Sequence, residues 1–261
     1  MIITTSNKPN PSSMIKANLL ANELNGVYVE REKKSLLGLM EEYNVNELIV
    51  IEKENVKFFS KTLKKPFYFH PSMAILRINR LKQGDNDLMV QISNLRSGDS
   101  FLDCTLGLGS DSIVASYVVG SLGKVLAFES QQIIAKLVRD GLQKGWTKDD
   151  DVDQSMKRIK VIAENHFEGL KKLPDKSFDI VYFDPMFRKG IYKSSSINPL
   201  RDLANINALT KETIAEAKRV AKRKIILKED IKSNEFERLG FQVIPRSSPI
   251  TYGVISIIGD E

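Results

Sequence analysis

Between residues 100 and 258, short apolar runs alternate with amphipathic stretches. Strand-like runs fall at 101–104, 124–128, 159–163, 178–183 and 224–228, with helical patterns at 111–119, 131–144 and 210–221. Strands separated by helices of about 10–15 residues predict βαβ units and a largely parallel sheet. The closing runs, 241–244 and 253–258, predict an antiparallel edge. Upstream, 73–80 and 88–95 read as helices on either side of the turn-like Gln83-Gly84-Asp85-Asn86-Asp87. Residues 1–60 follow another pattern. Strands are predicted at 2–5, 27–29, 48–51 and 56–59, the last entered by a turn at Glu54-Asn55. A helix capped at Pro11-Ser12-Ser13 carries the stripe Met14, Leu19, Leu20, Leu24 and stops at Asn25-Gly26, and a second helix covers 35–43. The order β-α-β-α-β-β predicts a small α/β unit with its own core. The basic stretch 61–66 ends in proline and marks a boundary, giving domains 1–66 and 67–261.

Composition narrows the class. Of 261 residues, 42% are hydrophobic and 28% charged, values of a globular chain that exclude wholesale disorder. The apolar runs, such as 48–51 and 113–115, fall far short of the ~20 residues a membrane span needs. The start lacks a basic region followed by an apolar one, so a cytoplasmic protein without membrane attachment is expected. One cysteine, Cys104, and two histidines exclude an internal disulfide framework and leave no basis for a metal site. The net charge is +6, and residues 186–246 hold 14 basic against 7 acidic side chains, or +7. That excess has two readings. It forms a cationic surface near a site, suited to a polyanion, or Lys218-Arg219 and Lys222-Arg223-Lys224 are the solvated face and end of a helix. The acidic run 149–153 reads as a solvated loop.

Candidate chemistry begins at Phe101-Leu102-Asp103-Cys104-Thr105-Leu106-Gly107-Leu108-Gly109-Ser110-Asp111, an apolar strand running through two glycines into a helix. Glycine lets the backbone turn sharply and lets a ligand approach, and a helix N-terminus offers free N–H donors. Glu129 ends the next strand, 22 residues after Gly107, where a carboxylate can accept both hydroxyls of an adenosine ribose. The set suits a nicotinamide dinucleotide or S-adenosylmethionine. Ser112 stands where the dinucleotide fingerprint has its third glycine. Asp103 at the strand end would repel a pyrophosphate but suits the cationic amino-acid end of S-adenosylmethionine; its other reading is a loop or helix cap.

A second strand, 178–183, ends in Asp184-Pro185-Met186-Phe187. Ligands of open α/β sheets gather at the carboxyl ends of the strands, so Asp103, Glu129 and Asp184 are expected on one rim. Asp184 can accept a hydrogen bond from an amine, and Phe187 offers a flat face for a base. Asn165 and His166, after the strand at 159–163, stand where polar residues can contact adenine; the other reading makes His166 a capping or surface histidine.

The segments 102–111, Glu129, Asp140-Gly141-Leu142-Gln143-Lys144-Gly145, Val181-Tyr182-Phe183-Asp184-Pro185-Met186-Phe187 and Lys222-Arg223-Lys224-Ile225-Ile226-Leu227-Lys228 occur in that order. They resemble class I S-adenosylmethionine-dependent methyltransferases, and more narrowly the small-subunit ribosomal RNA guanine-N2 methyltransferase J family. The resemblance covers about residues 100–230. It implies an α/β, Rossmann-like methyltransferase sheet, mostly parallel with an antiparallel edge, beside the small N-terminal α/β domain. It implies S-adenosylmethionine as cofactor and ribosomal RNA or the small ribosomal subunit as partner. It places Ser110, Asp111, Glu129, Ser130, Asn165, His166 and Asp184 around the cofactor, with Asp103, Gly107 and Gly109. Family members usually carry arginine where Ser110 stands, a basic residue where Ser130 stands, small hydroxyl residues where Asn165 and His166 stand, and proline where Arg188 stands. In the expected chemistry Asp184 orients a guanine amine and Phe187 stacks on the base. Arg188, Lys189 and Lys193 hold phosphates, and the loop 190–202 orders over the site. The opening Ile2-Ile3-Thr4-Thr5-Ser6-Asn7-Lys8-Pro9 is similar to the start of the Brix ribosome-biogenesis domain, which implies RNA docking by the N-terminal unit. The other readings are methylation of a small molecule or a protein carboxylate, a non-catalytic RNA-binding assembly factor, and a nicotinamide oxidoreductase.

Overall fold

A computed structural model describes residues 1–53, 55–185 and 208–257. Met1–Phe69 form one compact unit, and the described residues from His70 onward form another.

In the first unit, strands β1 (Ile2–Thr5), β2 (Val27–Tyr28), β3 (Glu47–Ile51) and β4 (Val56–Ser60) make a sheet in the order β2-β1-β3-β4. β1 is parallel to β2 and β3, and β3 is antiparallel to β4. Every residue of β1 is buried because it is central to the sheet. Helix α1 (Pro11–Glu23) begins at Asn10, whose side chain accepts from Ser13 N at 2.7 Å, while Pro11 sits in the first turn, where its missing N–H costs nothing. The face it buries is Ser13, Ala17, Leu20 and Ala21. The predicted stripe was wrong in part: Leu19 is 64% exposed, because the small residues let the helix lie close to the sheet. Helix α2 (Leu36–Glu42) packs Leu39 and Met40 with Ile2, Leu48 and Val50. Phe67, after Pro66, exchanges two backbone bonds with Phe58 and so belongs with this sheet.

The second unit opens with α3 (Ser72–Lys82) and α4 (Leu88–Ser93), followed by β5 (Ser100–Asp103), α5 (Ser110–Val119), β6 (Lys124–Glu129) and α6 (Gln132–Leu142). Next come α7 (Asp150–Lys157), β7 (Lys160–Ala163), α8 (His166–Lys171), β8 (Phe178–Phe183), α9 (Lys211–Val220), β9 (Ala221–Asp230), α10 (Glu235–Leu239), β10 (Gln242–Val243) and β11 (Ile250–Ser256). The seven-stranded sheet runs β10-β11-β9-β8-β5-β6-β7. β5, β6, β7, β8 and β9 are mutually parallel. β11 is antiparallel to both β9 and β10. The expected antiparallel edge is present: the two closing strands, β10 and β11, pair antiparallel at one end of the sheet, with β11 joining β10 to β9. The core gathers Leu102, Phe128, Val181, Phe183, Ile225 and Leu227 with the helices that cover them. Parallel strands buried on both faces read as continuous apolar runs, which is why 178–183 and 225–227 stood out in the sequence.

Two polar segments depart from expectation. The acidic run 149–153 is the start of helix α7, not a loop. Asp149 accepts from Val152 N, and the buried Asp153 carboxylate accepts from the backbone N–H groups of Trp146 and Thr147 at 3.1 Å. Carboxylates at a helix start complement its dipole. The basic run Lys222-Arg223-Lys224 is the beginning of β9, paired at Ala221 and Lys224 with Phe178 and Ile180.

Candidate functional site

The strand order reverses between β5 and β8, the place where open α/β sheets leave a crevice beyond their carboxyl ends. Register brings three acids to that rim. Asp103 lies beside Ala127 of β6 and Tyr182 of β8, with Glu129 and Asp184 each two residues further on.

The turn after β5 is held from both sides. Cys104 N donates to Tyr182 O at 2.9 Å and Leu106 N to Phe128 O at 3.0 Å. Gly107 and Gly109 adopt φ of +51° and +74°, the left-handed region that favours glycine. A Cβ on Gly109 would come within 3.3 Å of Leu106 Cδ1. Gly109 then starts α5 without a side-chain cap, leaving the first N–H groups of a ten-residue helix at the rim. Ser110 is the first residue of that helix.

Glu129 ties this turn to the next one. Its Oε2 accepts from Gly107 N at 3.1 Å and its Oε1 from Gln131 N at 2.9 Å, with a long contact from Ser130 Oγ. A carboxylate has about four lone-pair sites, so these contacts leave it room to accept from a ligand hydroxyl, more so if the long Ser130 contact gives way. Burial raises the Glu129 carboxyl, opposed by those N–H donors. Asp103 is almost wholly enclosed. It accepts from Thr105 N at 2.9 Å and Ser112 Oγ at 2.6 Å, and thus braces the turn. Burial pushes its carboxyl up to about 7, against the pull of Ser112 and Thr105.

On the β8 side the acids meet cations. Arg77 of α3 grips Asp87 through Nε at 2.7 Å and Nη2 at 3.0 Å, and reaches Asp111 Oδ1 through Nη1 at 2.5 Å. Tyr182 donates its hydroxyl to Asp111 Oδ2 at 2.9 Å. Lys228 Nζ lies 3.3 Å from that same oxygen and 2.7 Å from Asp184 Oδ2. Asp184 N donates to Thr105 Oγ1 at 2.6 Å, joining the two turns. Burial would raise the Asp111 carboxyl, but Lys228 and Arg77 hold it well below the carboxylate range. Burial raises Asp184, and Lys228 only partly opposes it. Asp111, expected beside the cofactor, is the centre of this ion network, with both its oxygens on protein groups.

Asn165 caps α8, with its side chain accepting from Phe167 N at 2.9 Å. His166 lies edge-on to the Phe183 ring at 5.9 Å, and burial lowers its pKa to about 4, so the imidazole is neutral at pH 7. The cap is therefore Asn165 rather than His166, and His166 is the half-buried first residue of α8. Phe187, Arg188, Lys189, Lys193 and the loop 190–202 lie outside the described residues. Sequence reasoning missed Arg77, Thr105 and Tyr182, and it saw Lys228 only as part of a basic strand. One signal was available: a tyrosine hydroxyl inside a doubly buried strand requires a partner.

The basic excess is also placed differently. Lys222, Arg223 and Lys224 lie at the end of the sheet opposite the rim. Arg223 pairs with Asp99, and Lys224 donates to Ile92 O at 2.7 Å. Arg219 holds Glu216 and Asp175 and donates to the carbonyls of Leu170 and Leu173. These cations serve the fold because each has a carboxylate or carbonyl partner.

The comparisons agree with this geometry. Residues 35–239 match a family model described as "Putative SAM-dependent methyltransferase". A Bacillus subtilis protein, YpiP, described as uncharacterized, is 42% identical over 97% of this chain and 98% of its own length. Ribosomal RNA small subunit methyltransferase J of Buchnera aphidicola is 27% identical over 77% of this chain and 79% of that protein. A solved S-adenosylmethionine-dependent methyltransferase from Neisseria gonorrhoeae shares the fold, with a TM-score of 0.60 at 18% identity over 100% of this chain and 98% of that one. Among the described residues no helix is long and apolar enough to cross a membrane. The chain belongs to the S-adenosylmethionine-dependent methyltransferase family, and S-adenosylmethionine is its cofactor.

Proposed function

For this member of the methyltransferase family, we propose methyl transfer to the exocyclic N2 amine of a guanine in small-subunit ribosomal RNA, carried out in the cytoplasm. The observation that carries the proposal is the position of Asp184. Its backbone is fastened to the glycine turn through Thr105, and its carboxylate stands at the switch-point rim. The similarity to ribosomal RNA small subunit methyltransferase J of Buchnera aphidicola supports the substrate.

The residues present fit the cofactor. A glycine turn whose left-handed backbone at Gly107 and Gly109 disfavours a side chain lies beside two raised carboxyls that have no cationic partner among the described residues. Bound there, S-adenosylmethionine supplies an electrophilic methyl on a sulfonium. Glu129 accepts the ribose hydroxyls. Gly107, Gly109 and Ser110 present backbone to the nucleoside, and Asp103 supplies negative charge near its cationic end. Ser130 and the neutral His166 border the adenine side, with Asn165 holding α8 in place. The amine of guanine is a poor nucleophile, because its lone pair is delocalised into the ring. Asp184 accepts one of its hydrogens, turns the lone pair toward the methyl and takes the proton afterwards. Alignment of this kind supplies several kcal/mol of barrier reduction. Phe187 stacks on the extruded base, Arg188, Lys189 and Lys193 hold phosphates, and the N-terminal unit docks RNA.

The test is mass spectrometry of ribosomal RNA from a strain lacking the protein and from its parent. One missing methylguanine is expected; identical profiles overturn the substrate assignment. A small-molecule substrate is the second reading, favoured by the position of Lys222-Arg223-Lys224 away from the rim. A steep loss of substrate affinity with added salt supports RNA, and a flat dependence supports the small molecule.

A further inference from the structure

Lys228 needs an explanation that cofactor binding does not give. It follows the apolar stretch Ile225–Leu227, all of it buried, and its half-buried side chain brings the ammonium against two carboxylates. We infer that Lys228 is a positioning residue for Asp184, itself set in place by Arg77 through Asp111, so that this chain fixes how Asp184 meets an acceptor amine. The inference rests on the reading of Asp184 given above.

Asp184 is held at two points, its N–H on Thr105 Oγ1 and its Oδ2 on Lys228 Nζ, which fix the carboxylate plane. Lys228 is fixed in turn by Asp111 Oδ2, an oxygen already set by the Tyr182 hydroxyl. Arg77 reaches Asp111 but not Asp184, and Asp87 holds its guanidinium through two parallel bonds. Such a fork locks the plane of both groups. Among the described residues, the charged and titratable groups around Asp184 are Lys228 and Glu229 of β9, Asp111 of α5, Arg77 of α3, Asp103 of β5, and Tyr182 and Tyr252. Lys228 and Arg77 are the cations of that set, and of the two Lys228 touches Asp184. Without its ammonium, Asp111 and Asp184 are like charges in one buried place, and one must take up a proton. Arg77 remains on Asp111, so the proton goes to Asp184. Its protonated carboxyl then no longer accepts the amine's proton.

The test follows Asp184 in the full chain by carbon NMR of labelled aspartate carboxyls, its resonance identified by its absence in Asp184→Asn. Lys228→Gln is expected to raise the Asp184 midpoint by about one pH unit or more, and Lys228→Arg to restore it. Methyl transfer to ribosomal RNA from the deletion strain should fall in kcat at pH 7 in Lys228→Gln in proportion to the loss of ionised Asp184 that the shifted midpoint gives, with cofactor Kd changed less than about threefold, and should recover as pH rises. A merely structural lysine would not move the pH profile. If Lys228→Gln does not fold, Arg77→Lys read on the same resonance serves, with a smaller upward shift expected. An unmoved Asp184 midpoint overturns the inference. A shifted midpoint in a protein that methylates no ribosomal RNA overturns the substrate reading and leaves the Lys228–Asp184 brace standing.

Discussion

The two halves of the rim solve the burial of carboxylates differently. Around the glycine turn, Asp103 and Glu129 are satisfied by neutral donors: the N–H groups of Thr105, Gly107 and Gln131 and the hydroxyl of Ser112. Beside β8, Asp111 and Asp184 are satisfied by Arg77 and Lys228. The first pair is left with raised carboxyls and, among the described residues, no positive partner, a state that costs stability unless a ligand brings positive charge. The second pair has its charge balanced by the chain. This asymmetry separates the roles. The glycine side is built to gain a cation, as the sulfonium cofactor provides, and the β8 side is built to keep one carboxylate in a fixed geometry.

The sharpest way to break that division is Asp184→Ala. Methyl transfer in single-turnover assays should fall about 1,000-fold while cofactor Kd, measured by calorimetry, stays within about threefold. Equal losses in both would merge the two halves. Glu129→Ala should act the opposite way. It should weaken the cofactor about 10- to 100-fold, the scale of a lost hydrogen bond to a charged group, and change saturated turnover little.

Asp103 sharpens the comparison through pH. With its carboxyl near 7, cofactor affinity should rise about tenfold per pH unit below 7 and level off above it. Without cofactor the sign reverses for stability. The folded state binds the extra proton between about pH 4 and 7, so stability falls as pH rises through that window. Asp103→Asn should flatten both curves, read by calorimetry and by thermal melts across pH. The smallest effect is expected at His166. A neutral ring edge-on to Phe183 offers packing rather than charge, so His166→Phe should change cofactor Kd by less than about threefold between pH 6 and 8.

How much of this was legible in the sequence follows from the range of each interaction. The βαβ alternation, the glycine turn and the acids at strand ends are local patterns, and the structure places Asp103, Glu129 and Asp184 on one rim. The cation network was not legible, because Arg77 meets Asp111 across 34 residues and Lys228 meets it across 117. No periodicity records such a pairing. Charge runs misled for a related reason. A run of acids reads as solvated, yet Asp153 spends its oxygens on backbone N–H groups and Asp149 divides its own between Val152 N and Lys82. A run of bases reads as a binding surface, yet Arg223 and Lys224 answer to partners that precede β5. The antiparallel edge was legible as the two closing runs, but not which of them lies outermost: β11 pairs with β9, and β10 flanks it.

A crystal structure of the protein with S-adenosylmethionine tests the central claim most directly. The account predicts the ribose hydroxyls on Glu129, the nucleoside over Gly107 and Gly109, and the methyl directed toward Asp184. A nucleoside seated away from the Gly107–Glu129 turn, or a methyl facing away from Asp184, would contradict it.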